Sequence, residues 1–237
     1  MNIVLTGASG FIGKRLMSKL EPLNLNIRTI DRDTQRSDYN NIFSECDVCF
    51  HFAGEVRSNA TSEEFFNVNS KLTKDVVQSI KLCGNNTRII FSSTIHAGCP
   101  SNDYGFSKLE AEKIITSYNN DLYLIDCVFR LPHLFGVGAK PDHNSVFTTW
   151  VYNAVKGLEL NVFDPDFKMT YINVDELVDV FIEQMYSDVK LELPSPYIIK
   201  LGDLKDKILS IYNGSACHSK LDRYIFNMLQ DAKNNII

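Results

Sequence analysis

Asn2-Ile-Val-Leu-Thr-Gly-Ala-Ser-Gly-Phe-Ile-Gly13 is the stretch that decides the fold. Asn2–Thr6 is mostly apolar, rich in β-branched residues, and stops at glycine, as a strand buried in a parallel sheet should. Gly7–Gly13 then reads Gly-x-x-Gly-x-x-Gly, and Lys14-Arg-Leu-Met-Ser-Lys-Leu20 carries its apolar residues at helical spacing. Strand, glycine-rich turn and helix in succession form the βα unit that cradles a dinucleotide. Glycines permit the tight turn, bring backbone N–H groups to a pyrophosphate, and let helix and strand pack closely. The helix N-terminus adds partial positive charge. The spacing differs from the commoner Gly-x-Gly-x-x-Gly.

The same alternation continues down the chain. A second strand, Asn26–Ile30, ends in Asp31, where an acid is placed to accept hydrogen bonds from a ribose 2′-hydroxyl. Arg32 follows and could instead hold a 2′-phosphate. The cofactor expectation is therefore NAD(H) or NADP(H), with Asp31 favouring NAD(H). A third strand, Val48–Phe52, opens into Ala53-Gly-Glu-Val-Arg57, small residues that let the chain pass beneath a cofactor. A helix at 64–77 carries Asn69. A fourth strand, Arg88–Phe91, ends in Ser92-Ser-Thr94, hydroxyls at the edge where open α/β sheets bind ligands. A helix from Tyr104 to Ser117 and a fifth strand at 126–130 complete an α/β, Rossmann-type, doubly wound parallel sheet. We divide the chain into a nucleotide-binding core over 1–130 and a mixed region over 131–237 that completes one domain and contributes the substrate pocket. That region carries amphipathic helices near 174–182 and 203–212.

Tyr104-Gly-Phe-Ser-Lys108 places a phenol and an ammonium on one helix face. A neighbouring cation is expected to lower the phenol's pKa, so that it exchanges a proton with a substrate oxygen near neutral pH. On spacing alone, the pair reads as a solvated helix face rather than as a catalytic pair.

Composition narrows the function classes. The chain has 237 residues, 44% of them hydrophobic and 22% charged, which is ordinary for a globular protein. A net charge of −5 offers no general attraction for nucleic acid or an anionic membrane. Met1 leads straight into a strand and no apolar run approaches the ~18 residues of a membrane span, so a cytoplasmic protein is expected. Cys46 and Cys49 have metal-site spacing, but they lie in an apolar run with no second pair to complete a tetrahedral site. Buried thiols, and no metal, are expected.

Taken together, Thr6–Gly13, Asp31, Phe52-Ala-Gly54, Asn69, Ser92-Ser-Thr94 and Tyr104–Lys108 resemble, in order, the extended short-chain dehydrogenase/reductases, the epimerases, dehydratases and reductases of nucleotide sugars. The likeness continues in Phe129-Arg-Leu-Pro-His-Leu-Phe-Gly136 and Tyr171-Ile-Asn-Val-Asp-Glu-Leu177. Within that family the chain is most similar to the reductase domain of the capsular enzymes that make the UDP-N-acetyl-L-fucosamine precursor. Those continue into a metal-binding cupin domain where a sugar carbon is epimerised; the chain stops short of it, so that activity is expected to be absent.

The resemblance implies that Tyr104 is the acid, that Lys108 lowers its pKa and holds the nicotinamide ribose, that Thr94 holds the carbonyl oxygen, and that Asn69 organises a contact behind the nicotinamide. It implies cofactor contacts from Gly7, Ser9, Gly10, Phe11, Ile12, Gly13, Asp31, Arg32, Phe52, Ala53, Gly54, Ser92 and Lys108. Arg57, Thr94, His96, His133, Asn144 and Tyr171 are the substrate candidates, with Trp150, Phe163 and Lys168 in the same region. His133 stands where many members carry Asn. Family dehydratases carry Asp-Glu after the strand hydroxyl, whereas Thr94 is followed by Ile95-His96, so elimination is not expected. The implied activity is reduction of a UDP-, dTDP- or GDP-linked 4-keto-6-deoxyhexose. A 4-epimerase that retains NAD⁺ and a non-catalytic NAD(P)-sensing protein are the alternatives. Dimerisation through helices including the Tyr104 helix follows by analogy.

Overall fold

A computed structural model of the chain describes every residue except Ser58, Asn144 and Ile237, with Ile236 described by its backbone alone. The chain forms two compact units: Met1–Leu131 with Leu177–Leu193, and Pro132–Glu176 with Pro194–Ile237.

In the first unit, strands and helices alternate as the patterning requires. In chain order they are β1 (Asn2–Thr6), α1 (Phe11–Leu20), β2 (Asn26–Ile30), α2 (Tyr39–Phe43), β3 (Val48–His51), α3 (Ser62–Phe65), α4 (Leu72–Cys83), β4 (Arg88–Thr94), α5 (Asp103–Asp121) and β5 (Cys127–Leu131). The five strands form one parallel sheet in the order β2-β1-β3-β4-β5. The chain runs outward from β1 to β2 and then returns past β1 to β3, so strand order reverses between β1 and β3. In open α/β sheets, ligands bind outside the carboxyl ends of the strands at such a reversal.

The central strands β1, β3 and β4 are buried along most of their length because both faces are covered, while the edge strand β2 is only partly buried. On one face, Val4, Cys49, Ile89, Phe91 and Val128 pack with Phe43 of α2, Val76 and Ile80 of α4, and Ala111 and Ile115 of α5. On the other, Phe52 and Phe129 each set their rings 5.2 Å from Phe181, which lies on α7 (Val174–Gln184). Arg88 donates to the carbonyls of Gln184 and Met185 at 3.0 and 2.9 Å, and Lys190 donates to that of Val128 at 2.6 Å. These contacts place 177–193 with the first unit, a return that a division at residue 130 does not contain.

Between α3 and α4 the backbone makes a π-helical turn, Phe66–Lys71, where an unbroken helix is the expectation. Such turns often accompany functional sites. α5 starts one residue earlier than expected and runs four residues longer; the Asn102 side chain caps it by accepting from the Gly105 N–H at 2.9 Å.

The second unit sets β6 (His133–Phe135) parallel to β7 (Lys168–Asn173), with β8 (Tyr197–Lys200) antiparallel to β7. Helices α6 (Val146–Lys156), α8 (Leu201–Tyr212) and α9 (Lys220–Ile236) cover this sheet. Its core is aromatic: Phe135 stacks on Phe147 at 4.5 Å, and Tyr171 meets both rings edge-on.

Candidate active site

The glycine turn is built by close approach. Gly7 has a φ of +75°, and a Cβ there would lie 2.6 Å from the Ala53 nitrogen. A Cβ on Gly13 would lie 2.1 Å from the Gly7 oxygen. β1, the end of β3 and α1 are thus held nearer than any side chain allows. Gly10 caps α1 with extended backbone and no side-chain hydrogen bond, while Ser9 and Gly10 are exposed and Phe11 and Ile12 half-buried. With no side chain capping them, the first N–H groups of α1 are left open to an anion. Asp31 is exposed directly after β2, its N–H tied to the Thr34 hydroxyl at 3.0 Å, with exposed Arg32 beside it. Open helix donors, a cradle that a Cβ would fill, and an exposed acid at the next strand end fit a dinucleotide.

The catalytic candidates converge across β4 and α5. The Thr94 hydroxyl lies near enough to Tyr104 to favour its phenolate form and accepts from the His96 N–H at 3.3 Å. Lys108 is 5% exposed. Its Nζ donates to the Ser92 carbonyl at 2.6 Å and stands 4.1 Å over the Phe91 ring. Burial lowers the Lys108 pKa to about 7, against an upward pull from Glu112. The expected depression of the Tyr104 pKa by Lys108 is not what the structure shows. Burial raises it, with only the nearby Thr94 hydroxyl pulling downward. The reason is geometric: the Lys108 ammonium is aimed at the Ser92 carbonyl, and it is itself only partly charged at neutral pH.

Asn69 sits in the π-helical turn, 1% exposed. Its Oδ1 accepts from the Glu55 N–H at 2.9 Å, and its Nδ2 donates to the Glu55 carbonyl at 3.1 Å and the Ser107 hydroxyl at 3.0 Å. It therefore clamps the loop after β3 to α5, close to Gly54, where a Cβ would come within 3.8 Å of the Lys108 Nζ.

Behind Asn69 lies a directed chain of hydrogen bonds. Thr73 donates its single hydroxyl proton to the Asn69 carbonyl at 2.6 Å, so at its 2.8 Å contact with His51 Nε2 it must accept. His51 then carries its proton on Nε2 and accepts at Nδ1 from the Thr6 hydroxyl at 2.7 Å. Thr6 in turn accepts from the Ala53 N–H at 3.1 Å. Burial, with a further push from Lys108, lowers the His51 pKa to about 3, which keeps the ring neutral and this polarity fixed. His51, Thr6, Thr73 and Ser107 were not among the sequence candidates. Nothing in a strand-end His or a helix Thr marks such a network beforehand.

The substrate candidates are dispersed. Arg57 is held by Glu55 (2.8 Å) and Glu64 (3.1 Å), bracing the loop before α3. His96 is exposed, with its ring 6.3 Å from Tyr104, edge to face. In the second unit, His133 lines a cavity of about 460 Å³ with Ser145, Val146, Thr149, Trp150 and Met169. Tyr171 is fully buried and its hydroxyl donates to Met169 Sδ at 3.2 Å, so it packs the wall behind that cavity and does not reach a ligand directly. Phe163 and Lys168 are exposed. Asn144 lies outside the described residues. Cys46 and Cys49 are buried free thiols. Among the described residues no group of three or more His, Cys, Asp or Glu could hold a metal, and no helix is long and apolar enough to cross a membrane.

The parallel sheet, the glycine cradle at its switch point and the Thr-Tyr-Lys cluster define a Rossmann-type nucleotide-binding fold. The chain belongs to the NAD dependent epimerase/dehydratase family, whose model matches residues 3–192. It is 27% identical over 218 residues to the UDP-2-acetamido-2,6-beta-L-arabino-hexul-4-ose reductase of Pseudomonas aeruginosa, covering 90% of this chain and 58% of that protein. The capsular polysaccharide assembling protein CapF of Staphylococcus aureus superposes with a TM-score of 0.82 at 25% identity, over 98% of this chain and 66% of that one. The chain thus spans less than two thirds of the length of both. Bordetella bronchiseptica WbmF, solved with NAD⁺, shares the fold at a TM-score of 0.83 and 15% identity, over 99% of this chain and 93% of that one.

Proposed function

We propose that the protein is an NAD(P)H-dependent reductase of a nucleotide-linked 4-keto-6-deoxyhexose. The observation that carries this reading is the convergence of Thr94, at the end of β4, with Tyr104 and buried Lys108 on α5, at the carboxyl edge of a sheet whose switch point carries the glycine cradle. The likeness to a UDP-sugar 4-keto reductase over 90% of the chain supports the substrate class.

Gly7–Gly13 and the first turn of α1 would hold the pyrophosphate, Asp31 and Arg32 the adenine-side ribose, and Lys108 the nicotinamide ribose. A bound reduced nicotinamide supplies the hydride that reaches the carbonyl carbon. The chain's own residues supply the rest. Thr94 fixes the carbonyl oxygen by donating its hydroxyl proton, and Tyr104 donates its phenol proton to that oxygen as negative charge develops. A raised phenol pKa suits this direction, because the resting acid is then protonated at neutral pH. Lys108, when charged, stabilises the phenolate left behind. No carboxylate stands in the Thr94-Ile95-His96 segment to serve elimination.

The test supplies UDP-, dTDP- and GDP-linked 4-keto-6-deoxyhexoses with NADH and NADPH separately and follows cofactor absorbance. Stoichiometric oxidation is expected with one of them. No oxidation across the panel refutes the reading, and sugar interconversion without net cofactor change would indicate an epimerase.

A further inference from the structure

We propose that Glu112 is the positioning residue that favours the charged form of Lys108, and that Ser93 and Arg130 hold it in place for that task. The inference deepens the reductase reading and rests on it for its catalytic meaning.

Tyr104, Lys108 and Glu112 recur at intervals of four on α5, so they lie along one face. All three meet the end of β4. Tyr104 stands beside Thr94, Lys108 bonds the Ser92 carbonyl at 2.6 Å, and Glu112 Oε1 accepts from the Ser93 hydroxyl at 2.5 Å. Glu112 is 6% exposed, and a carboxylate so buried needs a partner. Arg130 is that partner. It pairs directly across from Ser93 in the sheet, and its guanidinium makes a bidentate contact, Nε to Oε1 at 3.0 Å and Nη2 to Oε2 at 2.7 Å. Two adjacent strands thus grip one carboxylate a single helical turn beyond Lys108.

Lys108 also has buried Glu55 nearby, on the loop after β3 beside Gly54, but that carboxylate is paired with Arg57 at 2.8 Å. From its own helix Tyr104 faces Lys108, and from β3 His51 faces it; burial holds both in their neutral forms near pH 7. The end of β4 offers Phe91 and the hydroxyls of Ser92, Ser93 and Thr94. Glu112 is the charge that opposes the desolvation of Lys108, and Arg130 tempers it. A carboxylate serving packing alone would be tied equally well by Arg130 on the sheet's rim. Here it is drawn inward, 8% exposed against 47% for the Arg130 side chain.

The test reads the charge on Lys108 directly. The full-length protein is labelled with ¹³C at lysine Cε. The Lys108 resonance is assigned by its loss in Lys108→Met and followed through neutral and alkaline pH. In the wild type its midpoint is expected at about 7. Glu112→Gln should lower the midpoint by about one pH unit, and Arg130→Gln, which frees the carboxylate from its counter-ion, should raise it by a smaller amount. Shifts of opposite sign are not produced by loosened packing. Unchanged midpoints, or movement of both in one direction, overturn the proposal. If Glu112→Gln fails to fold, Arg130→Gln decides alone: a rise supports the assignment, while no change or a fall refutes it. The readout needs neither substrate nor turnover, so it stands or falls separately from the reductase reading.

Discussion

Acidification should destabilise the protein through His51, and His51→Gln should remove that component. The ring is fully buried, and its pKa falls from 6.5 to about 3 on folding. Below pH 6.5 the unfolded chain therefore binds a proton that the folded chain refuses. The stability contributed by the neutral ring is complete above 6.5 and is lost as pH falls toward 3. The full gap corresponds to roughly 5 kcal/mol at about 1.4 kcal/mol per pH unit, a large share of a typical folding free energy of about 5–15 kcal/mol. Over the accessible window from pH 6.5 to 5 the loss is about 2 kcal/mol. With a urea dependence of about 2 kcal/mol per molar, the unfolding midpoint should fall by about 1 M more in the wild type than in His51→Gln. Glutamine offers a neutral donor and acceptor at every pH. It lowers stability by about 1–3 kcal/mol through imperfect pairing with Thr6 and Thr73, but by the same amount throughout the window. Far-UV circular dichroism is the appropriate probe, because Trp150, the one tryptophan, belongs to the second unit. Parallel pH dependences in the two proteins would refute both the buried neutral ring and the donor order assigned to it.

Tyr104→Phe should lower kcat for keto-sugar reduction by about 10²–10⁴-fold while leaving NADH affinity, measured by fluorescence titration, within a few-fold. Gly13→Ala must separate α1 from the Gly7 carbonyl, where its Cβ would otherwise lie at 2.1 Å. The result should be a loss of about 1–3 kcal/mol in urea unfolding together with loss of cofactor binding. Asp31→Ala should weaken NADH binding relative to NADPH by about tenfold in the same titration, the value of one good hydrogen bond to a charged group. Asn69→Ala leaves the Glu55 N–H and carbonyl without their partner and should cost about 1–3 kcal/mol, with a further drop in kcat as the Gly54–Glu55 loop loosens beside Lys108.

Legibility followed the reach of the interaction. The first βα unit could be read from Asn2–Leu20 because everything that fixes it is local: an apolar run, a turn that needs a positive φ at Gly7, and a helix that needs no side chain at Gly13. β3 and β4 were equally visible as apolar runs buried on both faces. The return of 177–193 was not visible. Val174–Ile182 shows helical amphipathicity, but amphipathicity does not say which sheet receives the apolar face. Phe181 meets Phe52 and Phe129, partners far away in sequence. The π-helical turn escaped for a related reason: Phe66–Lys71 has ordinary helical periodicity, and the turn is stabilised by Asn69 bonding to Glu55 and Thr73 bonding to the Asn69 carbonyl.

For the site, residue identity was easier to read than charge state. Spacing alone puts Tyr104 and Lys108 together, and the same spacing extended one step reaches Glu112, a signal present in the sequence and left unused. The direction of the Tyr104 pKa shift was beyond that kind of reading, because it depends on where the ammonium points and how much water remains. Lys108 is aimed at the Ser92 carbonyl and buried, so it gives the phenol little help until something restores its charge. The chain supplies that charge control from three elements at once: Glu112 on α5, Ser93 on β4 and Arg130 on β5. A cation held near its own titration point is sensitive to small changes in its surroundings. An anionic cofactor entering beside it would favour the charged form further, so the acid–base pair is completed by binding and not before it.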